Sequence, residues 1–144
     1  MEQNKTNLPV LFWVIAVIAL SWNLMGVAAF LMDMFVSEET LATMDEAKRS
    51  LYENSPIYQK IIFGLSVFSG LLGSVGLLLR KSWAVPVFLL SLICVILQLI
   101  ISVVATDALK ILGATSLIMP SVVILIAAFL YWHSRNAERS GQIS

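Results

Sequence analysis

Residues 82–106 read SWAVPVFLLSLICVILQLIISVVAT, and none of these 25 residues is charged. A helix needs roughly 20 apolar residues to cross the hydrocarbon core of a bilayer. A Lys, Arg or Asp at the bilayer centre costs about 3 kcal/mol even on the gentler insertion scale. A charge-free stretch of this length therefore predicts a transmembrane helix rather than a buried helix of a water-soluble domain.

Three further stretches, 6–32, 61–79 and 111–134, also lack charged residues. Composition agrees, because 59% of the 144 residues are apolar and only 12% are charged, roughly half the charged fraction of soluble proteins. Each stretch must be helical, since backbone groups in lipid need partners within their own segment and no alternating barrel pattern is present. The predicted fold is all-α, a transmembrane up-and-down four-helix bundle forming a single integral membrane domain over 1–144, with spans at about 8–32, 57–79, 83–106 and 111–133.

The first connection between spans is long and acidic, in contrast to the short second and third connections. Ser37 is a candidate helix cap, and apolar residues then recur every three or four positions at Leu41, Met44, Ala47 and Leu51. This spacing predicts a short amphipathic helix over about 38–53, lying on the membrane surface or over the mouth of the bundle. Asp45 and Arg49 are spaced one turn apart, which predicts an exposed ion pair.

Lys and Arg in the short loops predict the orientation of the bundle. If the N-terminus is inside, the outer side carries Lys48, Arg49, Lys60 and Lys110, and the inner side carries Lys5, Arg80, Lys81, Arg135 and Arg139. The outer residues of the first connection lie among acidic residues, whereas Arg80-Lys81 has no acidic neighbour. Both termini are therefore expected in the cytoplasm.

No Asp, Glu, Lys or Arg lies in the core of any predicted span, which argues against a transporter that depends on a buried titrating group. The sequence also offers no paired nucleophile and base, no phosphate-binding loop and no metal-ligand cluster, so neither an enzyme nor a cofactor is predicted. The single histidine, His133, ends the last apolar stretch and is expected at the membrane surface. Net charge is zero and the basic residues are dispersed, which excludes a nucleic-acid partner.

Two amides interrupt the apolar spans, Asn23 in the first and Gln98 in the third. Both follow the midpoints of spans that run in the same direction, so similar depths are expected and the two could meet. One interpretation is an interhelical clamp, worth about 0.6–2 kcal/mol within a membrane. The other is a solute site, because Trp22 beside Asn23 offers an aromatic face that suits a polar ring such as a sugar. Trp22, Asn23 and Gln98 are thus candidates for solute binding or for an interhelical clamp.

Small residues recur at helical spacing in the second span and predict a helix-packing face at Ser66, Ser69, Gly70, Gly73 and Ser74. This face can pack within the bundle or, alternatively, support a homo-oligomer. In the fourth span, Pro120 removes the hydrogen bond to the carbonyl of Ser116, which predicts a helix kink at Pro120.

Three segments, WNLMG at 22–26, GLLLRKSWA at 76–84 and Met119-Pro120, together resemble a family of small bacterial four-span proteins commonly labelled sugar transporters. The resemblance runs along nearly the whole chain, and a looser likeness to DoxX-type four-span proteins rests on topology alone. It implies a location in the bacterial inner membrane, and it provides no catalytic or binding residues to transfer. The predicted function is binding or transport of a small neutral or polar solute. The alternative is a structural or accessory subunit of a larger membrane complex that transports nothing.

Overall fold

The computed structural model describes residues 9–105 and 108–144, and it is helical without a strand in those ranges. The four long helices are α1 (Val10–Met34), α4 (Ile57–Leu78), α5 (Ala84–Val104) and α7 (Ile118–Arg139). The short ones are α2 (Glu38–Thr43), α3 (Glu46–Glu53), α6 (Ala108–Leu112) and a 3-10 turn over Ala114–Leu117. The all-α four-helix fold is confirmed. Residues Leu8 and Thr106, which bound two predicted spans, and Lys5 lie outside the described residues.

All four long helices are long and apolar enough to cross a membrane. The shortest, α5, has 21 residues, which at 1.5 Å per residue gives about 32 Å, close to the thickness of a hydrocarbon core. These four helices mark the chain as a multi-pass membrane protein.

The long helices pack in chain order, α1 on α4, α4 on α5 and α5 on α7. Both described chain ends and the Arg80-Lys81 turn lie at one end of the bundle, here called the terminal end; residues 35–56 and 105–117 belong to the opposite, loop end. Helices α1 and α7 meet at the terminal end, where the rings of Phe12 and His133 are 6.0 Å apart. Among the described residues, α1 and α7 share no packed interface comparable to the other three.

The C-terminal segment is held against the Arg80-Lys81 turn. Gly141 adopts a φ of 76°, which turns the chain back after α7 and places Ile143 in the core with 2% of its surface exposed. The Nε of Arg80 donates to the carbonyl of Gln142 at 2.9 Å, and the amide of Ser144 donates to the carbonyl of Arg80 at 3.0 Å. These contacts close the terminal end of the bundle.

The small residues of α4 leave space into which neighbouring side chains pack. A Cβ on Gly73 would lie 2.8 Å from the Phe88 ring, and a Cβ on Gly76 would lie 2.7 Å from the Trp83 ring. The whole predicted packing face is buried inside the bundle, namely Ser66, Ser69, Gly70, Gly73 and Ser74. A second copy of the chain would therefore have to dock on another surface.

The first connection contains two helices rather than one. Ser37 caps α2 as expected, because its Oγ accepts a hydrogen bond from the amide of Thr40 at 3.2 Å. The helix is then interrupted at Met44 and Asp45, whose ψ values of 147° and 138° are extended. The apolar positions of the predicted amphipathic pattern still share one half-buried side, at Leu41, Met44, Ala47 and Leu51.

The predicted ion pair between Asp45 and Arg49 is wrong. Asp45 precedes α3 in an extended conformation, and the Nε of Arg49 instead lies 3.0 Å from Glu53 Oε1, one turn further along α3. The Tyr52 hydroxyl donates to the carbonyl of Asp33, which ties α3 to the end of α1.

The predicted kink at Pro120 is also corrected by the structure. Pro120 is the third residue of α7, where a backbone N–H would have no acceptor within the helix, so its absence costs no hydrogen bond. The interruption lies upstream at Gly113, whose φ of 78° separates α6 from the 3-10 turn. The helix of the fourth span thus begins at Ile118 and ends at Arg139, later than the predicted bounds of 111–133.

Candidate functional site

A cavity of about 450 Å³ lies between the four long helices. Its volume falls within the range of roughly 300–1,000 Å³ that is typical of small-molecule sites. It extends from Phe88 and Leu130, near the middle of the bundle, to Ser102 and Met119 near the loop end. All three candidate binding residues line it, namely Trp22, Asn23 and Gln98.

Asn23 connects α1 to α4 at the middle of the bundle. Its Nδ2 donates to the carbonyl of Ala19 at 2.8 Å and to the hydroxyl of Ser74 at 3.0 Å. Its Oδ1 lies only 2.1 Å from the position that a Cβ on Gly70 would occupy, so glycine is required for this approach. The amide plane is therefore fixed by contacts on both of its sides.

Ser91 joins α5 to the same layer. Its hydroxyl donates to the carbonyl of Ser66 at 2.9 Å, and its Oγ lies 3.3 Å from the position of a Cβ on Gly70. Asn23, Ser74, Ser91 and the Ser66 carbonyl thus form one polar layer across α1, α4 and α5. The two hydrogen bonds between helices hold the packing that frames the cavity.

Gln98 lies at a different level from Asn23. It is seven residues beyond Ser91 on α5, which places it about 10 Å nearer the loop end. Its half-buried side chain makes no hydrogen bond with any described residue, and Asn23 bonds to Ser74 rather than to Gln98. The expectation of similar depth is therefore not met, because Asn23 is thirteen residues into α1 whereas Ser91, at the same level, is seven residues into α5.

The wall of the cavity is uncharged and largely apolar. None of the described residues that line it is an acid, a base or a histidine. Aromatic and aliphatic side chains dominate, and the polar contribution comes from Asn23, Gln98 and the serines of α4 and α5. Such a lining suits a neutral molecule that is held by shape and by a few hydrogen bonds.

His133 is half-buried near the terminal end of the bundle. Its ring stacks on Phe129 at 5.9 Å, and its buried Nε2 has no hydrogen-bond partner among the described residues. Within residues 9–105 and 108–144, no group of three His, Cys, Asp or Glu side chains is placed to hold a metal ion.

Three serines of the polar layer were not among the candidate site residues as hydrogen-bonding groups. Ser66 and Ser74 were predicted only as small packing residues, and Ser91 was not singled out. For Ser74 and Ser91 the signal in the sequence is a hydroxyl within an apolar span, whereas Ser66 contributes its backbone carbonyl, for which the sequence carries no signal. Comparison with known proteins adds nothing to this geometry, since no family model, curated protein or solved structure matches the chain.

Proposed function

We propose that this membrane protein binds a small neutral molecule in the cavity between its four spans, and holds it there or passes it across the bilayer. The observation that carries the proposal is the Gln98 amide, which faces an uncharged cavity without a hydrogen-bond partner among the described residues. In a largely apolar cavity within the bilayer, a polar group costs free energy unless it is hydrogen-bonded. A bound molecule that pairs with Gln98 would remove this cost.

The polar layer, which lies on the terminal-end side of Gln98, supports the same proposal. Asn23 and Ser91 are fixed by contacts with α4, so the inner part of the cavity is preorganised. A cavity that is already formed requires little ordering when a ligand enters. Transport would then require α7 to move, since α1, α4 and α5 are linked by the polar layer.

Orientation and location belong to the proposal as well. The terminal end carries a cluster of basic residues at Arg80, Lys81, Arg135 and Arg139, whereas the loop end carries most of the acidic ones. By the positive-inside rule this supports cytoplasmic termini. The resemblance to small bacterial four-span proteins supports placement in the bacterial inner membrane.

An accessory subunit is the second candidate function. Helices α1 and α7 do not pack together along the loop-end half, so a helix of a larger complex could cover this gap. In that case the cavity would be a space between subunits, and no small molecule would bind there. The two candidates are distinguished by whether a small molecule occupies the cavity.

Ala127→Phe is expected to abolish binding, because Ala127 lines the cavity and a phenyl ring would occupy part of it. The matched control is Ala128→Phe, one residue along and also half-buried but not lining the cavity. Purified protein in nanodiscs is exposed to two photoreactive probes, a water-soluble diazirine-bearing glucose analogue and a diazirine-bearing hexadecanol. Cavity adducts are those on Val95 and Leu99, which line it, and lipid-face adducts are those on Ile93 and Leu97, which do not.

With at least one probe, Ala127→Phe should lower the ratio of cavity to lipid-face adducts by about tenfold, while Ala128→Phe leaves it near that of the unmodified protein. Circular dichroism and size-exclusion chromatography confirm that both variants are folded. If neither probe gives cavity adducts that depend on Ala127, the binding proposal is wrong and the accessory role replaces it.

A further inference from the structure

The exposed residues of the cavity lining all lie on two helices. Met25 and Met119 are 61% and 60% exposed, and Ala29 is also exposed. Met25 and Ala29 belong to α1, and Met119 belongs to α7. Every lining residue of α4 and α5 is buried or half-buried. The cavity therefore opens sideways, through the gap between α1 and α7, which is called the seam below.

The seam lies at the level of the hydrocarbon core. Met25 and Ala29 precede Asp33, the first charged residue after the apolar stretch, by eight and four residues. At 1.5 Å per residue they are about 12 and 6 Å from that charge along the helix axis. Beside the seam, Leu24 and Ile118 are exposed apolar side chains. In a bilayer the opening faces lipid chains rather than water.

Hydrogen-bonding groups lie mainly on the wall opposite the seam. Gln98 and Ser91 belong to α5, and Ser66 belongs to α4. The side chains at the opening are methionine, alanine and their apolar neighbours. A molecule entering here meets an apolar passage first and the Gln98 amide behind it.

We propose that the ligand is a neutral amphiphile that enters from the lipid phase through the seam, places its polar head on the Gln98 amide and leaves its apolar body between α1 and α7. This inference rests on the proposed binding function and narrows its ligand class. Few hydrogen-bonding groups and largely apolar walls fit one polar head better than the many hydroxyls of a free sugar.

Ala29→Phe tests the route, because an added ring at this exposed seam position narrows the opening without a buried clash. Ala28→Phe is the matched control, since Ala28 is also exposed on α1 but does not line the cavity. The probe is diazirine-bearing hexadecanol in nanodiscs of phosphatidylethanolamine and phosphatidylglycerol, with a short exposure before illumination. Ala29→Phe should lower the ratio of cavity to lipid-face adducts by about fivefold, and Ala28→Phe should leave it unchanged.

Gln98→Leu tests the position of the head. It should lower the cavity adducts of the hexadecanol probe but leave those of a diazirine-bearing hexadecane unchanged, because only the alcohol can hydrogen-bond to the amide. Equal effects on both probes would overturn this placement. Equal labelling of Ala29→Phe and Ala28→Phe would overturn entry through the seam.

Failure of this inference can be told apart from failure of the binding proposal. Cavity adducts from the glucose analogue alone would overturn the amphiphile and leave cavity binding intact. Absence of cavity adducts from both probes would overturn both.

Discussion

Gly70→Ala should destabilise the bundle by about 2 kcal/mol, within the range of roughly 1–3 kcal/mol for overpacked interiors. The new methyl group would lie 2.1 Å from Asn23 Oδ1, too close for the two atoms to coexist. Asn23 cannot move away freely, because its Nδ2 is bonded to Ala19 and Ser74. Either those hydrogen bonds break or α1 moves away from α4. Reversible unfolding in mixed detergent and SDS micelles measures the loss.

Asn23→Ala in the same chain should remove most of that penalty. Without the amide, the nearest remaining neighbour of the new methyl group is Ser91 Oγ at 3.3 Å. A double-mutant cycle therefore predicts a coupling energy of about 1–2 kcal/mol between positions 23 and 70. Gly26→Ala is a milder control, with its closest contact to Val67 at 3.3 Å. Additive effects of Gly70→Ala and Asn23→Ala would show that the two residues do not touch.

Phe88→Ala should destabilise the bundle more than Gly70→Ala does, by about 3–5 kcal/mol, as truncations of buried aromatic residues do. The Phe88 ring is 1% exposed, fits against Gly73 and forms the terminal-end limit of the cavity. Its removal leaves a void that the small residues of α4 cannot fill. The cavity should then extend toward the terminal end, so added xenon should bind the variant more strongly than the unmodified protein.

Leu89→Ala is the control for Phe88→Ala. Leu89 is the next residue on α5 and is 36% exposed. In a bilayer, lipid chains replace the lost contacts of a lipid-facing side chain, so the cost should stay below about 1 kcal/mol. Similar losses of stability in Phe88→Ala and Leu89→Ala would contradict the assignment of an inward and an outward face to α5.

The membrane-spanning helices could be predicted because charge is excluded from lipid at a cost larger than any competing local preference. The packing of the small residues of α4 could also be predicted, because small residues at helical spacing allow helix backbones to approach closely. Helix ends were predicted less well. Met44 and Asp45 continue an apolar pattern that fits one helix, yet their extended backbone separates α2 from α3. Periodicity identifies the half-buried side of this segment but not the interruption.

The relative depths of the Asn23 and Gln98 amides along the bundle axis could not be predicted from their positions within each apolar stretch. Asn23 and Gln98 occupy similar places in their own helices, but α1 begins further toward the terminal end than α5. This offset depends on how α1 and α5 each pack on α4, which no local pattern encodes. The cavity itself arises from the lack of packing between α1 and α7, a property of the assembled bundle. Individual residues of the cavity could be predicted from the sequence, whereas the seam between α1 and α7 could not.

The four-span assignment is tested most directly by a dual reporter that distinguishes the cytoplasmic from the outer side. It is fused after Ser144 in one version and inserted between Met44 and Asp45, in the break between α2 and α3, in another. The four-span bundle predicts opposite sides, and the orientation proposed from the basic residues places the C-terminal reporter in the cytoplasm and the loop reporter outside. Both reporters on the same side would contradict the four-span bundle, and an outer signal from the C-terminal fusion alone would invert its orientation.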